Sequence, residues 1–388
     1  MQIAEIDSKY IASTYNRFPV ELVSGKGSVY TDVNGKEYID MGSGIGVNIF
    51  GVNDEGFKNA VTNQLNKIQH TSNLYYTEPC ARLAEMLCKK TGMSKVFFSN
   101  SGAEANECAI KAARKYASEK KGTDYYTIVT VKNSFHGRTL TTLSATGQDH
   151  YHELYQPLTG GFVSVEPENK EELIELNKTK KIAALLVECI QGEGGVISLS
   201  DEYLKFLRKF TEENDILLMI DEVQTGNGRT GKLYSYMNYG IIPDVVSTAK
   251  GLGGGLPIGA TLLSEKVENV FSFGDHGSTF GGNPVSCAAA CYVMENLTEE
   301  FLNDVQRKGK LLLNTFSKVP EIEEISGKGL MLGLKTKRPS PDVVKACMEN
   351  GVLCLTAKDK VRLLPPLNTP DDLLIKAAEI IINVCKGE

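Results

Sequence analysis

The sequence contains no tryptophan and only 5 histidines among its 388 residues. His150 and His152 have a metal-like spacing, but no third ligand lies near them, so no metal site is predicted. No apolar run reaches the roughly 20 residues that cross a bilayer. The N-terminus lacks the apolar segment of a signal peptide. We therefore expect a cytoplasmic chain without a membrane span.

The chain has nine cysteines, an odd number, and none of them forms a Cys-x-x-Cys pair. This pattern argues against a disulfide framework and a zinc site, and it favours reduced thiols in the core. The net charge is 42 − 48 = −6. Such a balance argues against a nucleic-acid partner and against an anionic membrane surface.

Two common enzyme motifs are also absent. Gly251 and the run 253–255 do not have the Gly-x-Gly-x-x-Gly spacing of a dinucleotide site. No Gly-x-Ser-x-Gly is present, which argues against a serine hydrolase of the α/β type. The function must therefore be sought in other residues.

The most informative stretch is 216–259, which contains two apolar runs that predict neighbouring strands. The first run ends at Asp221 and Glu222, and the second ends just before Lys250 and a glycine-rich turn. Ligands bind at the carboxyl ends of parallel strands. A lysine and an acid there suit pyridoxal phosphate, because the lysine forms a Schiff base and the acid pairs with the pyridine nitrogen. A solvated loop lysine and a helix-capping aspartate explain this stretch equally well.

A second signal lies where the predicted strand 95–98 meets a run of helix formers. Ser101, Gly102 and Ala103 stand at this junction, where free amides and the helix dipole attract an anion such as phosphate. The alternative is a capping box made by Ser101 and Glu104, which explains the same residues without a ligand.

Two further predicted strands are followed by polar or aromatic side chains that could bind a ligand, and a third strand contains one. Phe135 and Arg138 follow the strand 126–131, where a ring could stack on a planar cofactor and an arginine could bind a carboxylate. A surface arginine is the alternative, and His136 is interpreted as an ordinary loop histidine. Glu188 ends the strand 182–187. Arg362 lies within an apolar strand, where it indicates a ligand or an edge-strand position.

Strand and helix patterns alternate over 95–265, which predicts an α/β fold with a doubly wound, mostly parallel sheet. Asn34-Gly35 between alternating residues predicts a hairpin. The segments 170–180 and 201–214 are expected to be helical, and 285–317 to be one helix with a polar interruption.

Taken in order, five segments resemble the class III (ornithine-type) pyridoxal-phosphate aminotransferases of fold type I. These segments are 100–107, 134–139, 188–195, 221–231 with Lys250, and 277–284. The resemblance implies a large domain over residues 51–284 with a central, mostly parallel sheet. It also implies a smaller α/β domain built from both chain ends, residues 1–50 and 285–388.

The same resemblance implies pyridoxal 5'-phosphate as cofactor, no metal, and a homodimer with sites at the subunit interface. Lys250 and Asp221 are the implied catalytic residues. The implied cofactor-binding residues are Gly102, Ala103, Phe135, Asp221, Glu222, Val223, Gln224, Lys250 and Thr279, with Thr279 coming from the partner subunit. The implied substrate-binding residues are Arg138, Ser278, Glu193 and Arg362.

Within this family, the segments 15–20 and 70–76 are similar to the branch that acts on N2-acetyl-L-ornithine. Ornithine aminotransferases carry a tyrosine where this chain has Gly44, and glycine leaves room for an acyl group. The chain departs from the family at 52–54, where a His-x-His-Pro run is common. The implied reaction uses 2-oxoglutarate as acceptor, gives N-acetyl-L-glutamate 5-semialdehyde and L-glutamate, and belongs to arginine biosynthesis.

Other amino donors remain open at this point, namely ornithine, succinylornithine and 4-aminobutyrate. In the implied mechanism, Arg138 binds the α-carboxylate of the amino donor, and Arg362 binds that of 2-oxoglutarate. Glu193 is expected to pair with Arg362 in the first half-reaction and to release it in the second. A relative without activity would be expected to lack Lys250 or Asp221, and both are present.

Overall fold

The computed structural model describes residues 3–387. Its helices are α1 Ile3–Tyr10, α2 Ser43–Gly46, α3 Glu55–Leu65, α4 Glu78–Thr91, α5 Gly102–Lys121, α6 Leu140–Ala145, α7 Lys170–Thr179, α8 Asp201–Glu213, α9 Pro284–Asn296, α10 Glu299–Phe316, α11 Ser340–Glu349 and α12 Asp371–Lys386. Short 3-10 turns are Asp149–Tyr151, Ser235–Asn238 and Lys250–Leu252. In the part of the chain described here, no helix is long and apolar enough to cross a membrane.

The strands are β1 Leu22–Lys26, β2 Val29–Asp32, β3 Glu37–Asp40, β4 Lys95–Ser99, β5 Thr127–Val131, β6 Phe162–Val165, β7 Ile182–Val187, β8 Ile190–Gln191, β9 Ile197–Ser198, β10 Leu217–Asp221, β11 Val245–Thr248, β12 Gly259–Leu263, β13 Ile322–Lys328, β14 Met331–Thr336, β15 Val352–Leu353, β16 Leu355–Ala357 and β17 Lys360–Leu363. The Asn34-Gly35 hairpin is confirmed, because β2 and β3 pair antiparallel around it.

The central sheet has the strand order β4-β12-β11-β10-β7-β5-β6. Its strands run parallel except β12, which is antiparallel to β4 and β11. Helices cover such a sheet, so its middle strands are apolar throughout, and every residue of β7 and β10 is buried. The predicted α/β class with a mostly parallel sheet is confirmed. Because β10 and β11 are neighbours, Asp221 lies directly beside Ser247.

Helix α5 follows β4 and packs on the sheet through small side chains. Its buried face includes Ala105, Ala109, Ala112 and Ala113, which allow the helix backbone to approach the strands closely. The helix begins at Gly102, directly after the carboxyl end of β4. Its first turn is thereby placed at the edge of the sheet where β10 and β11 also end.

The two chain ends meet in a second sheet, of order β1-β2-β3-β15, in which Val352 pairs with Ile39. A third sheet has the order β13-β14-β17-β16. Arg362 lies on β17, an interior strand, so the edge-strand interpretation of this arginine is wrong. The domain limits at 50/51 and 284/285 stay a prediction.

The segment 285–317 is the clearest difference from the expected secondary structure. It forms two helices, α9 and α10, and the second begins after Thr298, whose hydroxyl accepts a hydrogen bond from the amide of Phe301 at 3.2 Å. The polar interruption seen in the sequence is therefore a helix boundary with its own N-cap. Helices at 170–179 and 201–213 are confirmed.

Gly51 offers a test of how the N-terminal sheet is joined to the rest of the chain. Its φ is +71°, and an added Cβ would lie 2.2 Å from the carbonyl oxygen of Gly27. Gly35 has a similar φ of +79° but nothing within 4 Å of an added Cβ. Gly35→Ala should therefore cost about 1 kcal/mol of unfolding free energy. Gly51→Ala should cost about 2 kcal/mol more, from the clash. Chemical denaturation measures both, and equal losses would contradict the packing argument.

Candidate active site

A cavity of about 450 Å³ lies at the carboxyl ends of the central strands. It brings together residues from Val47 to Ile258, which are about 210 positions apart in the chain. The predicted site residues that line it are Gly102, Ala103, Phe135, Arg138, Asp221, Val223, Gln224 and Lys250. Asn106, His136 and Glu188 also line it.

Both carboxylate oxygens of Asp221 are hydrogen-bonded, and the residue is only 3% exposed. Its Oδ2 accepts hydrogen bonds from Nδ2 of Asn106 at 2.7 Å and from Nδ1 of His136 at 2.8 Å. Its Oδ1 accepts from the amide of Val223 at 2.9 Å. An ionised carboxylate can only accept hydrogen bonds, so this set of donors matches its acceptor capacity.

The predicted site residues include neither Asn106 nor His136, and both line the cavity. Asn106 follows Gly102 by one helical turn, so both lie on the same face of α5, and this spacing could have indicated it. Ser247 donates to Oδ1 of Asn106 at 2.5 Å, which orients the amide. His136 is buried, and its Nε2 has no hydrogen-bond partner among residues 3–387. It therefore acts on the site through Asp221 and is more than a loop histidine.

The first turn of α5 contains both features that the sequence suggested. Oγ of Ser101 accepts from the amide of Glu104 at 3.2 Å, and Oε2 of Glu104 accepts from the amide of Asn100 at 2.8 Å. This capping box leaves the amides of Gly102 and Ala103 without partners inside the helix. An added Cβ at Gly102 would lie 2.6 Å from Val223, so glycine is required here. The cap and an anion site therefore coexist.

Lys250 follows β11 after one residue and begins a 3-10 turn with a φ of +45°. Burial removes water from the amine of Lys250 and lowers its pKa. The carboxylate of Glu193 raises this pKa, and the charge of Arg362 lowers it further. The net pKa is below that of an ordinary lysine. The amine is thus neutral at a lower pH than a surface lysine, as a nucleophile or base requires.

Glu188 lies directly after β7 and is buried under the cavity. Burial raises its pKa to about 7, while His136 lowers it and Asp221 raises it. Its Oε1 accepts from the amide of Phe135 at 2.9 Å, and its Oε2 accepts from the amide of Gly192 at 3.1 Å. Glu188 therefore connects the loop that contains Phe135 to the glycine-rich turn at Gly192.

Arg362 forms an ion pair with Glu193 beside Gln224, a lining residue of the cavity. Nη1 of Arg362 donates to Oε1 of Glu193 at 2.6 Å, and Nη2 donates to Oε2 at 3.4 Å. Nη1 also donates to Oε1 of Gln224 at 3.0 Å. Burial alone raises the pKa of Glu193. The charge of Arg362 and several smaller contributions act in the opposite direction and outweigh burial, so the net pKa is lowered. The expected pairing of Arg362 with Glu193 is thus present.

Arg138 is exposed and stacks on aromatic rings. Its guanidinium carbon lies 4.4 Å from the ring centre of Tyr151 and 5.5 Å from that of Phe135. Stacking uses the face of the guanidinium and leaves its N–H edge available for a carboxylate.

Five predicted residues do not line the cavity. Two of them, Glu193 and Arg362, contact its lining residue Gln224. The other three are Glu222, Ser278 and Thr279. Glu222 is fully buried, and its carboxylate accepts hydrogen bonds from Thr225, Ser235 and the amide of Tyr236. Ser278 accepts a hydrogen bond from Nδ2 of Asn100 at 3.2 Å, at the edge of the site. Thr279 lies on an exposed stretch of the same chain. Their proposed roles toward cofactor and substrate stay predictions.

The residues fit pyridoxal 5'-phosphate. The free amides of the first turn of α5 suit its phosphate, and the buried, well-partnered Asp221 suits a protonated pyridine nitrogen. Lys250, with its lowered pKa, lines the same cavity. Between residues 3 and 387, no group of three or more histidine, cysteine, aspartate or glutamate side chains could hold a metal ion.

The raised pKa of Glu188 gives a pH-dependent stability. A carboxyl whose pKa rises on folding stabilises the folded state below its unfolded pKa, and this contribution is lost as the pH rises through about 7. In cofactor-free protein, the melting temperature of the wild type minus that of Glu188→Gln should therefore fall from pH 5 to pH 8. Thermal melts measure it, with the exposed Glu153→Gln as control. A difference that rises with pH would contradict this assignment.

Comparisons with known proteins agree with this geometry. The model of the family Aminotransferase class-III matches residues 10–385. An acetylornithine aminotransferase from Haemophilus ducreyi is 48% identical, over 99% of this chain and 98% of that protein. The ornithine aminotransferase structure from Toxoplasma gondii has a TM-score of 0.94 at 31% identity, covering 99% of this chain and 94% of that one.

The structure of acetylornithine aminotransferase from Elizabethkingia anophelis has a TM-score of 0.89 at 31% identity, covering 99% of this chain and 98% of that one. The similarity in sequence and in fold extends over nearly the whole chain. The chain therefore belongs to the class-III aminotransferases, which are pyridoxal-phosphate-dependent enzymes.

Proposed function

We propose that this chain transfers the δ-amino group of N2-acetyl-L-ornithine to 2-oxoglutarate. The products are N-acetyl-L-glutamate 5-semialdehyde and L-glutamate, and the reaction serves arginine biosynthesis. The observation that supports this substrate most directly is the 48% identity, over nearly the full length of both chains, to a protein named acetylornithine aminotransferase.

Bound pyridoxal phosphate supplies an electron-accepting ring that holds the amino group between its donor and its acceptor. Nζ of Lys250 removes the proton from the δ-carbon of the donor, and its lowered pKa keeps a neutral amine available for this step. Asp221, with its charge held by Asn106 and His136, keeps the pyridine nitrogen protonated. The amides of Gly102 and Ala103 bind the phosphate.

Arg138 binds the α-carboxylate of the donor. Its guanidinium already lies over the ring of Tyr151 and near that of Phe135, which restricts its rotation and leaves its N–H groups for a bidentate contact. Holding the carboxylate at Arg138 leaves the δ-amino end of the donor free to reach Lys250. Phe135 is expected to stack on the cofactor ring, and Ser278 to lie near the substrate.

The two substrates differ in charge, and this difference assigns a role to Arg362. N-Acetylornithine carries one carboxylate, whereas 2-oxoglutarate carries two. In the first half-reaction Glu193 neutralises Arg362, as it does in this structure. In the second, Glu193 releases Arg362, which then binds the α-carboxylate of 2-oxoglutarate.

The lack of a side chain at Gly44 supports an acylated donor, because it leaves room for an acyl group. Gly44 and Tyr15 line a separate groove of about 530 Å³ beside the N-terminal segment. An added Cβ at Gly44 would have its nearest neighbour at 3.7 Å, on Asn48, so the position is open. Ornithine is the second candidate donor, because the structure of an ornithine aminotransferase matches this chain with a TM-score of 0.94.

We also propose a cytoplasmic homodimer in which Thr279 of one subunit completes the phosphate site of the other. The support is the exposure of apolar side chains near this loop. Tyr76 and Phe273 are fully exposed in the single chain, and Leu74 is 86% exposed. Burial of such residues against a second copy would remove a large apolar area from water.

An absorbance spectrum tests the proposal. The holoenzyme should show a visible cofactor band that disappears with N-acetylornithine and returns with 2-oxoglutarate. Ornithine, succinylornithine and 4-aminobutyrate are the comparison donors. Lys250→Ala, which cannot bind the cofactor covalently, is the control and should lack this response.

A band that responds to another donor and ignores N-acetylornithine would replace the substrate but keep the enzyme class. A protein that shows no band after addition of pyridoxal phosphate would contradict the cofactor site itself.

A further inference from the structure

Gln224 lies between Arg362 and Glu193, and both ends of its carboxamide are used there. Its Oε1 accepts from Nη1 of Arg362 at 3.0 Å, and its Nε2 donates to Oε1 of Glu193 at 3.3 Å. A carboxamide can accept from a cation and donate to an anion at the same time, which a carboxylate cannot do. The side chain is therefore chemically matched to both members of the ion pair.

The carboxamide of Gln224 is also fixed in place. A Cβ at residue 192 would lie 2.4 Å from its Cδ, so the amide rests directly on the backbone of Gly192. The nitrogen of Gly192 is in turn held by Glu188 at 3.1 Å. Gln224 itself is only 7% exposed. It therefore cannot follow Glu193 when that side chain moves.

Glu193 is the most exposed member of this group, and its departure needs the least rearrangement of buried groups. Its side chain is 27% exposed, whereas that of Arg362 is 4% exposed. Departure of Glu193 would remove two of the three hydrogen bonds that the described residues make to the Arg362 guanidinium, and the bond to Gln224 would remain. A buried guanidinium without partners is costly, so this remaining contact determines where the cation stays.

We propose that Gln224 is the fixed third member of the Arg362–Glu193 switch. It holds the guanidinium of Arg362 beside the cavity while Glu193 moves away and a carboxylate of the diacid acceptor replaces it. Because the carboxamide is neutral, it positions Arg362 without cancelling the charge that the acceptor needs. This positioning role rests on the proposed function and adds to the contact with the cofactor ring expected for Gln224.

The test measures binding of two unreactive acids to the holoenzyme by calorimetry. Glutarate has the two carboxylates of the acceptor, and pentanoate has the same carbon chain with one carboxylate. The wild type should bind glutarate at least about tenfold more tightly, because a second carboxylate reaches Arg362. Gln224→Glu places a permanent carboxylate on Arg362 and should abolish this preference.

Two further variants separate the contributions. Gln224→Met removes the contact without adding charge and should reduce the glutarate preference by a smaller factor than Gln224→Glu. Glu193→Ser removes the competing carboxylate but keeps Gln224, so its glutarate preference should exceed that of the wild type. Thermal melts and the visible band of each variant establish that it is folded and contains the cofactor.

Half-reaction rates give an independent measure of the same role. Loss of a cofactor contact lowers both half-reactions by the same factor, because one cofactor serves both. Loss of the switch lowers kcat/KM for 2-oxoglutarate more than that for the amino donor, and Gln224→Glu should lower their ratio about tenfold. Proportional losses with an unchanged glutarate preference would overturn the inference.

The wild type separates this inference from the proposed function. If the wild type does not prefer glutarate, the role of Arg362 as the acceptor site is wrong, and the inference falls with it. If the wild type prefers glutarate and Gln224→Glu retains that preference, the role of Arg362 stands and the inference alone is overturned.

Discussion

The buried carboxylate of Asp221 is the constraint on which the rest of the site depends. A charge at the end of an apolar strand is costly unless donors surround it, and here Asn106, His136 and the amide of Val223 supply them. These donors come from α5, from the loop after β5 and from the turn after β10. Satisfying one charge therefore fixes the relative positions of three segments of the central sheet.

A second network of residues extends from the region of Asp221 to Arg362 in the third sheet. Glu188 connects the loop of Phe135 to the turn at Gly192, and Gly192 supports Gln224 beneath Arg362. The pKa of Lys250 depends on the charges in this network. Burial lowers this pKa most, the carboxylate of Glu193 raises it, and the charge of Arg362 lowers it further. The residues proposed to bind the cofactor and those proposed to distinguish the substrates are thus parts of one connected network.

Local patterns predicted the strands, the hairpin at Asn34-Gly35 and the N-terminus of α5, because these depend on neighbours in sequence. The ordered motifs also indicated Asp221, Lys250 and Arg362. Asn106 was not predicted, although its spacing from Gly102 places both residues on one face of α5. The burial of His136 could not be predicted, because it depends on packing between distant segments. The interior position of Arg362 likewise depends on which strands flank β17, and that order is a property of the whole fold.

The central claim is that Asp221 remains ionised and keeps the pyridine nitrogen of the cofactor protonated. The most direct measurement is the ¹⁵N NMR shift of the holoenzyme reconstituted with pyridoxal phosphate labelled at that nitrogen. The account predicts the shift of a protonated pyridine near neutral pH. The shift of an unprotonated pyridine near neutral pH would contradict this claim, because Asp221 would then not pair with a positive charge on the cofactor.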